Sequence, residues 1–293
     1  MGLYGLSLLT KRQFLIDITA PCNFSHLFIP NQVNWLPSQY DLSGLNTTRF
    51  DCMRPRKNLD DCLQRLSYIN ETNPALTTAI LILNTNYDWL SYFSRNKNLE
   101  KLILSLGVVN STNEFQLQSL LYTWYAKLFR LADPFQRQYD LVRERAHMNN
   151  MTQLFCAQIR IGGQRPNVAF DAQFNNLNVS KLFWKFMREN FTKIMNQSNN
   201  INWKIFVTSD TESVELEAID EFGKDKVIRI SGVNSHIDRE PNLGNNCSRI
   251  EKPIMDFHFL QNCDKAVISY SGFGRFGLWN RQYPNRDVYS ISG

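Results

Sequence analysis

Three stretches of the sequence place residues that suit an anionic ligand at the ends of apolar runs. They read "LFCAQIRIGGQ" (Leu154–Gln164), "WKIFVTSD" (Trp203–Asp210) and "KAVISYSGFG" (Lys265–Gly274). Arg160 offers a planar fork of N–H donors that matches a pair of phosphate oxygens. Gly162 lets backbone approach a ligand closely, because it has no side chain. An arginine at a strand end can equally be a surface cation in a salt bridge, so Arg160 alone assigns no function.

The other two stretches leave similar alternatives open. Ser271, Gly272 and Phe273 open a predicted helix, where exposed amides and the positive helix end favour an anion. The same Ser-Gly pair can be a plain helix cap. Asp210 ends the second stretch and is either a ligand contact or, like Thr211, the cap of the helix that follows.

These stretches belong to a regular alternation of strands and helices in the second half of the chain. The predicted strands are "LFCAQIR", "WKIFVTSD", "KVIRIS", "KAVISY" and "DVYSIS", and the helices between them are "VSKLFWKFMRENFTKIM", "TESVELEAIDEFG", "IEKPIMDFHFLQNC" and "SGFGRFGLWN". Continuously apolar strands that alternate with helices predict an α/β fold with a doubly wound parallel sheet. Ligands bind such sheets at the carboxyl ends of the strands. The motifs therefore fall where the fold would place a site.

The first half of the chain mixes element types, and we place a domain boundary between residues 150 and 151. We expect a helix as far as Leu9, then a strand "QFLIDI", and after a long irregular stretch a strand "TTAILILNT". Two helical stretches follow, at 87–106 and 113–147, and the second is predicted to break before Pro134. This gives an N-terminal α/β domain, 1–150, and a C-terminal Rossmann-like domain, 151–293.

Composition excludes several classes of function. The chain has 293 residues, a formal net charge of +5 and 20% charged residues, which is ordinary globular composition. The basic residues are not clustered, so nothing supports nucleic-acid binding. No apolar run reaches the length of a transmembrane helix. The opening "MGLYGLSLLTKR" has its basic residues after the apolar stretch, unlike a signal peptide.

Cysteines and glycosylation sequons indicate the secretory lumen. The six cysteines form no C-x-x-C motif, which argues against a zinc or thioredoxin-like site. Nine N-x-S/T sequons occur where about four are expected by chance. They begin at Asn23, Asn46, Asn70, Asn110, Asn150, Asn178, Asn190, Asn196 and Asn246. An asparagine-rich genome would also produce this excess. Cys52 and Cys62 flank a short loop and are the first pair we expect to form a disulfide.

The order and spacing of the motifs resemble the GDP-fucose-dependent fucosyltransferase superfamily, which includes α1,2-, α1,6- and protein O-fucosyltransferases. The resemblance rests on "CAQIRIGG", then "WKIFVTSD", then "IMDFHFLQNCDKAVISYSGFG", and extends to "GLYGLSLLTKRQFLIDI" at the start. It is strong over the last 140 residues and loose between about Ser25 and His147. It implies two Rossmann-like domains of the GT-B type and an inverting transferase that acts on a glycan or glycoprotein in the Golgi or ER lumen.

The resemblance also implies roles for individual residues. Arg160 matches the arginine that grips the β-phosphate and stabilises departing GDP, and Asp256 matches the acid that pairs with guanine. Read alone, Asp256 is an acid on an apolar helix that would usually face solvent. The turn residues match those that hold the phosphates, and the donor-binding set becomes Gln158, Arg160, Gly162, Asp210, Asp256, Ser271, Gly272 and Phe273. The family works without a metal or cofactor, so Arg160 takes the place of a cation.

The chain departs from the family pattern in two ways. Gln158 stands where many members have a titratable histidine, and the family's G-x-G-N-R loop would precede Met1, as would a membrane anchor. No base is assured, and Asp171 and Asp17 are the candidates. Two alternatives stay open: a transferase for another nucleotide sugar, and a non-catalytic glycan-binding or scaffold relative without the donor loop.

Overall fold

The chain divides into two compact units, which are described separately here. The computed structural model describes residues 2–9, 11–19, 22–52, 79–84, 104, 117–146, 152–163, 171–192, 202–235, 247–283 and 286–291. Unit 1 comprises Met1–Asp17 and Pro30–Leu128, and unit 2 comprises Ile18–Ile29 and Phe129–Gly293. The domain boundary between residues 150 and 151 stays a prediction.

Helices and strands are numbered in chain order. The helices are α1 (Gly2–Leu9), α2 (Leu117–Leu128), α3 (Asp133–Arg145), α4 (Val179–Met187), α5 (Glu212–Phe222), α6 (Ser248–Phe259) and α7 (Gly272–Trp279). The strands are β1 (Phe28–Pro30), β2 (Thr47–Asp51), β3 (Ile80–Asn84), β4 (Phe129–Leu131), β5 (Thr152–Ile159), β6 (Asn202–Ser209), β7 (Val227–Ile228), β8 (Lys265–Ser269) and β9 (Val288–Ile291). None of the helices in the described residues combines the length and hydropathy needed to cross a bilayer.

Unit 1 confirms some of the predicted elements and corrects another. The opening helix is present as α1, and the strand predicted at "TTAILILNT" is present as β3, which pairs in parallel with β2. The strand predicted at "QFLIDI" is wrong, because residues 11–19 form neither strand nor helix. There the Ile16 amide donates to the Trp35 carbonyl at 2.9 Å, but the repeated bonds of a strand ladder are not formed.

The predicted break before Pro134 is confirmed. The helix α2 ends at Leu128, the short strand β4 follows, and α3 begins at Asp133 with Pro134 in its first turn. Proline is tolerated there because the first amides of a helix have no intrahelical partner. The strand β4 pairs with β1 and was not anticipated from the apolar pattern. The helix predicted at 87–106 lies outside the described residues, apart from residue 104.

Unit 2 contains a sheet of five parallel strands in the order β7-β6-β5-β8-β9. Starting from β5, the chain adds β6 and β7 on one side and then β8 and β9 on the other. The direction of addition reverses between β5 and β8. This reversal is the topological switch point of a doubly wound sheet, where a crevice opens at the carboxyl ends of the strands. The predicted doubly wound sheet of the C-terminal half is confirmed.

Alternate residues of the central strands pack against helices on opposite faces. On one face, side chains of β5 and β6 form a buried core with α4 and α5, whose members include Phe155, Ala157, Ile159, Phe183, Trp184, Ile205, Val207, Val214 and Ala218. On the other face, the Phe206 ring packs at a tilt against Phe259 of α6, with ring centroids 4.7 Å apart. The side-chain period of two in a strand produces this division. Polar residues at the strand ends are thereby fixed by a rigid core.

Two disulfides are present within unit 2. Cys156 of β5 is bonded to Cys263, which precedes β8. Cys22 is bonded to Cys247 at the start of α6, across a sequence separation of 225 residues. Cys52 is also disulfide-bonded, and its predicted partner Cys62 lies outside the described residues.

Candidate functional site

A hydrogen bond links the two strands that flank the switch point. The backbone N–H of Arg160, directly after β5, donates to the Ser269 hydroxyl oxygen at 2.8 Å. Ser269 is the last residue of β8, and its side chain is fully buried. The hydroxyl in turn donates to the Gln158 carbonyl at 3.4 Å. This pairing fixes the place where Arg160 leaves the sheet. Ser269 was missed by sequence reasoning, although it is the first serine of "SYSGFG".

The guanidinium of Arg160 is held by two carboxylates. Its Nη1 lies 2.8 Å from Asp210 Oδ2, and its Nη2 donates to Asp171 Oδ2. The Arg160 side chain is 17% exposed, whereas those of Asp171 and Asp210 are 0% and 9% exposed. One cation and two carboxylates give this cluster a formal charge of −1. The salt-bridge interpretation of Arg160 therefore holds, and it applies to a largely buried group rather than to a surface pair.

Asp210 also organises the backbone that follows Arg160. Its Oδ1 accepts the amide of Ile161, and its Oδ2 accepts the amide of Gly162, both at 2.9 Å. Thr211 occupies the cap position of α5 but makes no side-chain capping bond. Asp210 is therefore more than a helix cap, because its carboxylate binds the backbone and the side chain of the segment that follows β5.

The glycine after Arg160 is required by a close backbone approach. Gly162 has φ +74°, and a Cβ there would lie 2.1 Å from the Ala172 carbonyl oxygen. Residues 162 and 173 form an antiparallel bridge, which brings the segment after Asp171 back along the strand end. Phe174 on this segment is half-exposed, and its ring centroid lies 5.4 Å from Arg160 Cζ. Gly162 thus permits the return of the segment that delivers Asp171 to Arg160.

The turn before α7 is positioned by a contact with α6. Ser271 precedes the helix in an extended conformation and makes no side-chain capping bond, and Gly272 is exposed at the first helical position. Phe273 packs edge-on against Phe257 of α6, with ring centroids 5.7 Å apart. The helix N-terminus at this turn is a suitable place for an anion.

Gln158 lies beneath this helix. It is buried, and its Oε1 has no hydrogen-bond partner among the described residues. A Cβ on Gly274 would lie 2.3 Å from that oxygen, so the glycine allows α7 to sit directly on the glutamine. The structure therefore places Gln158 and the Ser271 turn side by side.

Asp256 is buried in a network of charges and does not face solvent. It is 2% exposed, and its Oδ2 accepts from Thr208 Oγ1 at 2.9 Å and from Lys252 Nζ at 2.7 Å. Lys252 also contacts Glu215 Oε1 at 2.8 Å, and Glu215 Oε2 lies 3.4 Å from Arg229. Burial raises the pKa of Asp256 to about 7, against the opposing effect of the lysine charge. Sequence reasoning found Asp256 but missed Lys252 and Glu215.

The two charge clusters are joined through β6. Thr208 contacts Asp256, and Asp210 contacts Arg160, only two residues further along. Two residues of strand rise by about 6–7 Å, a separation that a nucleotide can bridge. The predicted residues Gln158, Arg160, Gly162, Asp171, Asp210 and Asp256 and the Ser271 turn are thus gathered at one edge of the sheet in unit 2.

Asp17, the other candidate base, belongs to the other unit. It lies in unit 1, where it is exposed. Within the described part of the chain, no group of three or more histidine, cysteine, aspartate or glutamate side chains could hold a metal ion. Metal independence stays a prediction.

The fold of this chain is similar to the folds of several solved structures. FUT1 from Arabidopsis thaliana, an arginine-to-lysine mutant in complex with GDP, matches at a TM-score of 0.65 and 14% identity, over 99% of this chain and 66% of the other. The NodZ α-1,6-fucosyltransferase soaked with GDP-fucose matches at a TM-score of 0.54 and 13% identity, over 96% of this chain and 86% of the other. NodZ from Bradyrhizobium matches at 0.53 and 13% identity, over 94% of this chain and 85% of the other.

The chain spans slightly less than two thirds of the FUT1 chain. No protein-family model and no curated protein matches the sequence. At these identities the likeness establishes architecture, and it agrees with the switch point in the parallel sheet of unit 2. The chain therefore has the mixed α/β fold of the GDP-fucose fucosyltransferases.

Proposed function

We propose that the protein is a glycosyltransferase that transfers fucose from GDP-fucose to a glycan or glycoprotein. A shared fold does not assign an activity, so the proposal must rest on the site. The observation that carries it is the position of Arg160, a largely buried cation at the switch point of a sheet with this fold. The turn at Ser271 lies at the carboxyl end of the neighbouring strand.

Arg160 can bind a diphosphate without leaving its carboxylates. A guanidinium has five N–H donors, and here one on Nη1 and one on Nη2 face carboxylates, which leaves three. The amides that open α7 supply further donors. We assign the phosphates to this set, with Ser271, Gly272 and Phe273 on the opposite side from Arg160.

We assign the guanine base to Asp256. Guanine presents two adjacent N–H groups on its Watson–Crick edge, and a carboxylate accepts both. Asp256 Oδ1 is buried and has no partner among the described residues, so it is an acceptor without a donor. Gln158 offers a second unmatched oxygen near the Ser271 turn.

The proposed reaction breaks the bond between the fucose C1 and the β-phosphate oxygen and forms a bond from C1 to an acceptor hydroxyl oxygen. Attack from the opposite face inverts C1 through an oxocarbenium-like state, and Arg160 stabilises the negative charge on departing GDP without a metal. The acceptor proton goes to a carboxylate, for which Asp171 and Asp17 are the candidates. Because Asp171 occupies one N–H of Arg160 Nη2, it lies beside the position that we assign to the phosphate.

The disulfides agree with the proposed site of action in the Golgi or ER lumen, where thiols oxidise. Asn23, Asn46, Asn178 and Asn190 are the sequon asparagines among the described residues, and all are exposed. We propose that the protein is itself a glycoprotein. We also assign the acceptor side to the N-terminal domain.

Nucleotide binding by isothermal titration calorimetry tests the proposal. We expect the protein to bind GDP and GDP-fucose without added metal and to prefer GDP over UDP. The variant Arg160→Ala should weaken GDP binding about 10- to 100-fold, since hydrogen bonds to charged groups contribute about 1.5–3 kcal/mol. Arg160→Lys keeps the positive charge but loses the planar fork of donors. Its GDP affinity should therefore lie between those of the parent and Arg160→Ala.

Arg188→Ala is the matched control, because Arg188 lies in the same unit and pairs with Glu221 on the exposed surface. It should leave GDP affinity unchanged. Equal GDP affinity in Arg160→Ala and the parent would contradict the role of Arg160. Preference for another nucleotide would favour a different donor, and GDP binding without fucose release from GDP-fucose would favour a non-catalytic relative.

A further inference from the structure

Lys252 on α6 of unit 2 is buried between two carboxylates. The residue is 3% exposed, and its Nζ lies 2.7 Å from Asp256 Oδ2 and 2.8 Å from Glu215 Oε1. Lysine is almost never fully buried unless it is paired. A Cβ on Gly232 would lie 2.8 Å from Lys252 Cβ, so backbone packs closely on the lysine stem. The course of this side chain is therefore tightly fixed.

The two oxygens of Asp256 have different surroundings. Oδ2 receives two donors, Thr208 Oγ1 at 2.9 Å and Lys252 Nζ at 2.7 Å. Oδ1 is buried and has no partner among the described residues. A buried acceptor without a donor is costly, and few occur in native proteins. The arrangement occupies one oxygen and leaves the other for a donor from outside the network.

Lys252 also affects whether Asp256 is ionised, and so whether it accepts or donates a hydrogen bond. Burial raises the pKa of Asp256 to about 7, and the nearby lysine charge is the main effect that lowers it. Without Lys252 the pKa of Asp256 would rise further, so a larger fraction of the acid would be protonated at neutral pH and could donate a hydrogen bond. The other charges that face this pair are Glu215 on α5 and, beyond it, Arg229. Glu215 contacts Lys252 rather than Asp256, and its negative charge acts on the acid through space, where it raises the pKa of Asp256.

We infer that Lys252 is a positioning residue for base recognition: it holds Asp256 Oδ2 and keeps Oδ1 as an ionised acceptor for a purine that presents N–H donors. The inference rests on the proposed function, because it assumes that Asp256 faces the base. Guanine and hypoxanthine both present an N1–H, whereas adenine presents an acceptor at that position. Lys252 should thus contribute selectivity against adenine rather than affinity for phosphate.

The experiment compares Lys252→Met with Glu215→Gln by calorimetry, using GDP, IDP and ADP. The methionine variant removes the charge beside Asp256 at similar volume. The glutamine variant alters the same buried network one contact further away. In the parent protein we expect GDP to bind most tightly, IDP next and ADP least. Lys252→Met should reduce the GDP-to-ADP preference at least about tenfold, while Glu215→Gln changes it by less than about threefold.

A pH series distinguishes positioning from general support of the fold. The base binds the ionised acid, so parent GDP affinity should fall as pH decreases through about 7. In Lys252→Met the pKa of Asp256 rises further, and the midpoint of this fall should shift upward by about one pH unit or more. A purely structural role would lower affinity by the same factor at every pH.

Thr208→Val provides a second variant if Lys252→Met does not fold. It removes the other donor to Oδ2 and leaves the lysine in place. We expect a smaller upward shift of the pH midpoint. The inference would be overturned if a folded Lys252→Met kept both the pH midpoint and the GDP-to-ADP preference of the parent. If only Thr208→Val folds, an unchanged pH midpoint in that variant would overturn it. Absence of GDP binding by the parent protein would instead overturn the proposed function.

Discussion

Arg160 forms ion pairs with two acids, so a substitution of either acid changes the local charge that a ligand meets. The cluster carries a formal charge of −1, formed by Arg160 with Asp171 and Asp210. This net negative charge repels a diphosphate that binds beside Arg160. The acids nevertheless hold the guanidinium in one orientation, which lowers the cost of ordering it when a ligand binds. Their positioning effect and their charge therefore act in opposite directions on GDP affinity.

Asp171→Asn separates the effect of charge from that of catalysis. The amide keeps an oxygen acceptor for Arg160 but removes one negative charge, so GDP should bind about three- to tenfold more tightly. If Asp171 is the base, release of fucose from GDP-fucose to water should slow about 100-fold or more. Calorimetry measures the first effect, and a GDP-release assay measures the second.

Asp210→Asn is the comparison, because it removes the same charge from the other side of Arg160. Tighter GDP binding with an unchanged release rate in Asp171→Asn would exclude Asp171 as the base and leave Asp17 as the candidate.

Among the elements, those around the site were the most predictable from sequence. The strands β5, β6 and β8 contain apolar runs, and a polar residue lies at or directly after the end of each, so Arg160 and Asp210 could be placed at strand ends. The strand predicted at "QFLIDI" failed because an apolar run does not guarantee a pairing partner, as residues 11–19 show. Lys252 and Glu215 could not be found, since a charged residue on a helix usually faces solvent and sequence does not reveal that these two are buried as an ion pair.

The contact of α7 with β5 also depends on packing that sequence does not reveal. Gly274→Ala would put a methyl group 2.3 Å from Gln158 Oε1, so side chain or helix must shift. Overpacking of this kind costs about 1–3 kcal/mol, and we expect the free energy of unfolding to fall by that amount in urea.

Gly272→Ala is the matched control in the same helical turn. Its Cβ would lie 3.7 Å from the Phe276 ring, which is ordinary contact, so stability should change by less than about 1 kcal/mol. Adding Gln158→Ala to Gly274→Ala should recover part of the loss, and strict additivity of the two changes would contradict the contact.

At the scale of the whole molecule, unit 2 is assembled from two separate parts of the chain. Ile18–Ile29 joins Phe129–Gly293, and the Cys22–Cys247 disulfide fastens the first part to the start of α6. Replacing both cysteines with serine should lower the free energy of unfolding by about 2–5 kcal/mol in a denaturant titration. Peptide mapping under non-reducing conditions checks the connectivity, and absence of the Cys22–Cys247 peptide would contradict the structure.

The two-part construction of unit 2 also sets an order of events during synthesis. Cys22 leaves the ribosome before its partner, which follows 225 residues later. At about 5–20 residues per second, the interval is on the order of ten to fifty seconds. During that time Cys52, Cys62 and Cys156 emerge and can form wrong pairs with Cys22. Efficient production of the folded protein should therefore depend on a disulfide isomerase. An expression host should be chosen for its oxidising folding compartment and its isomerase activity.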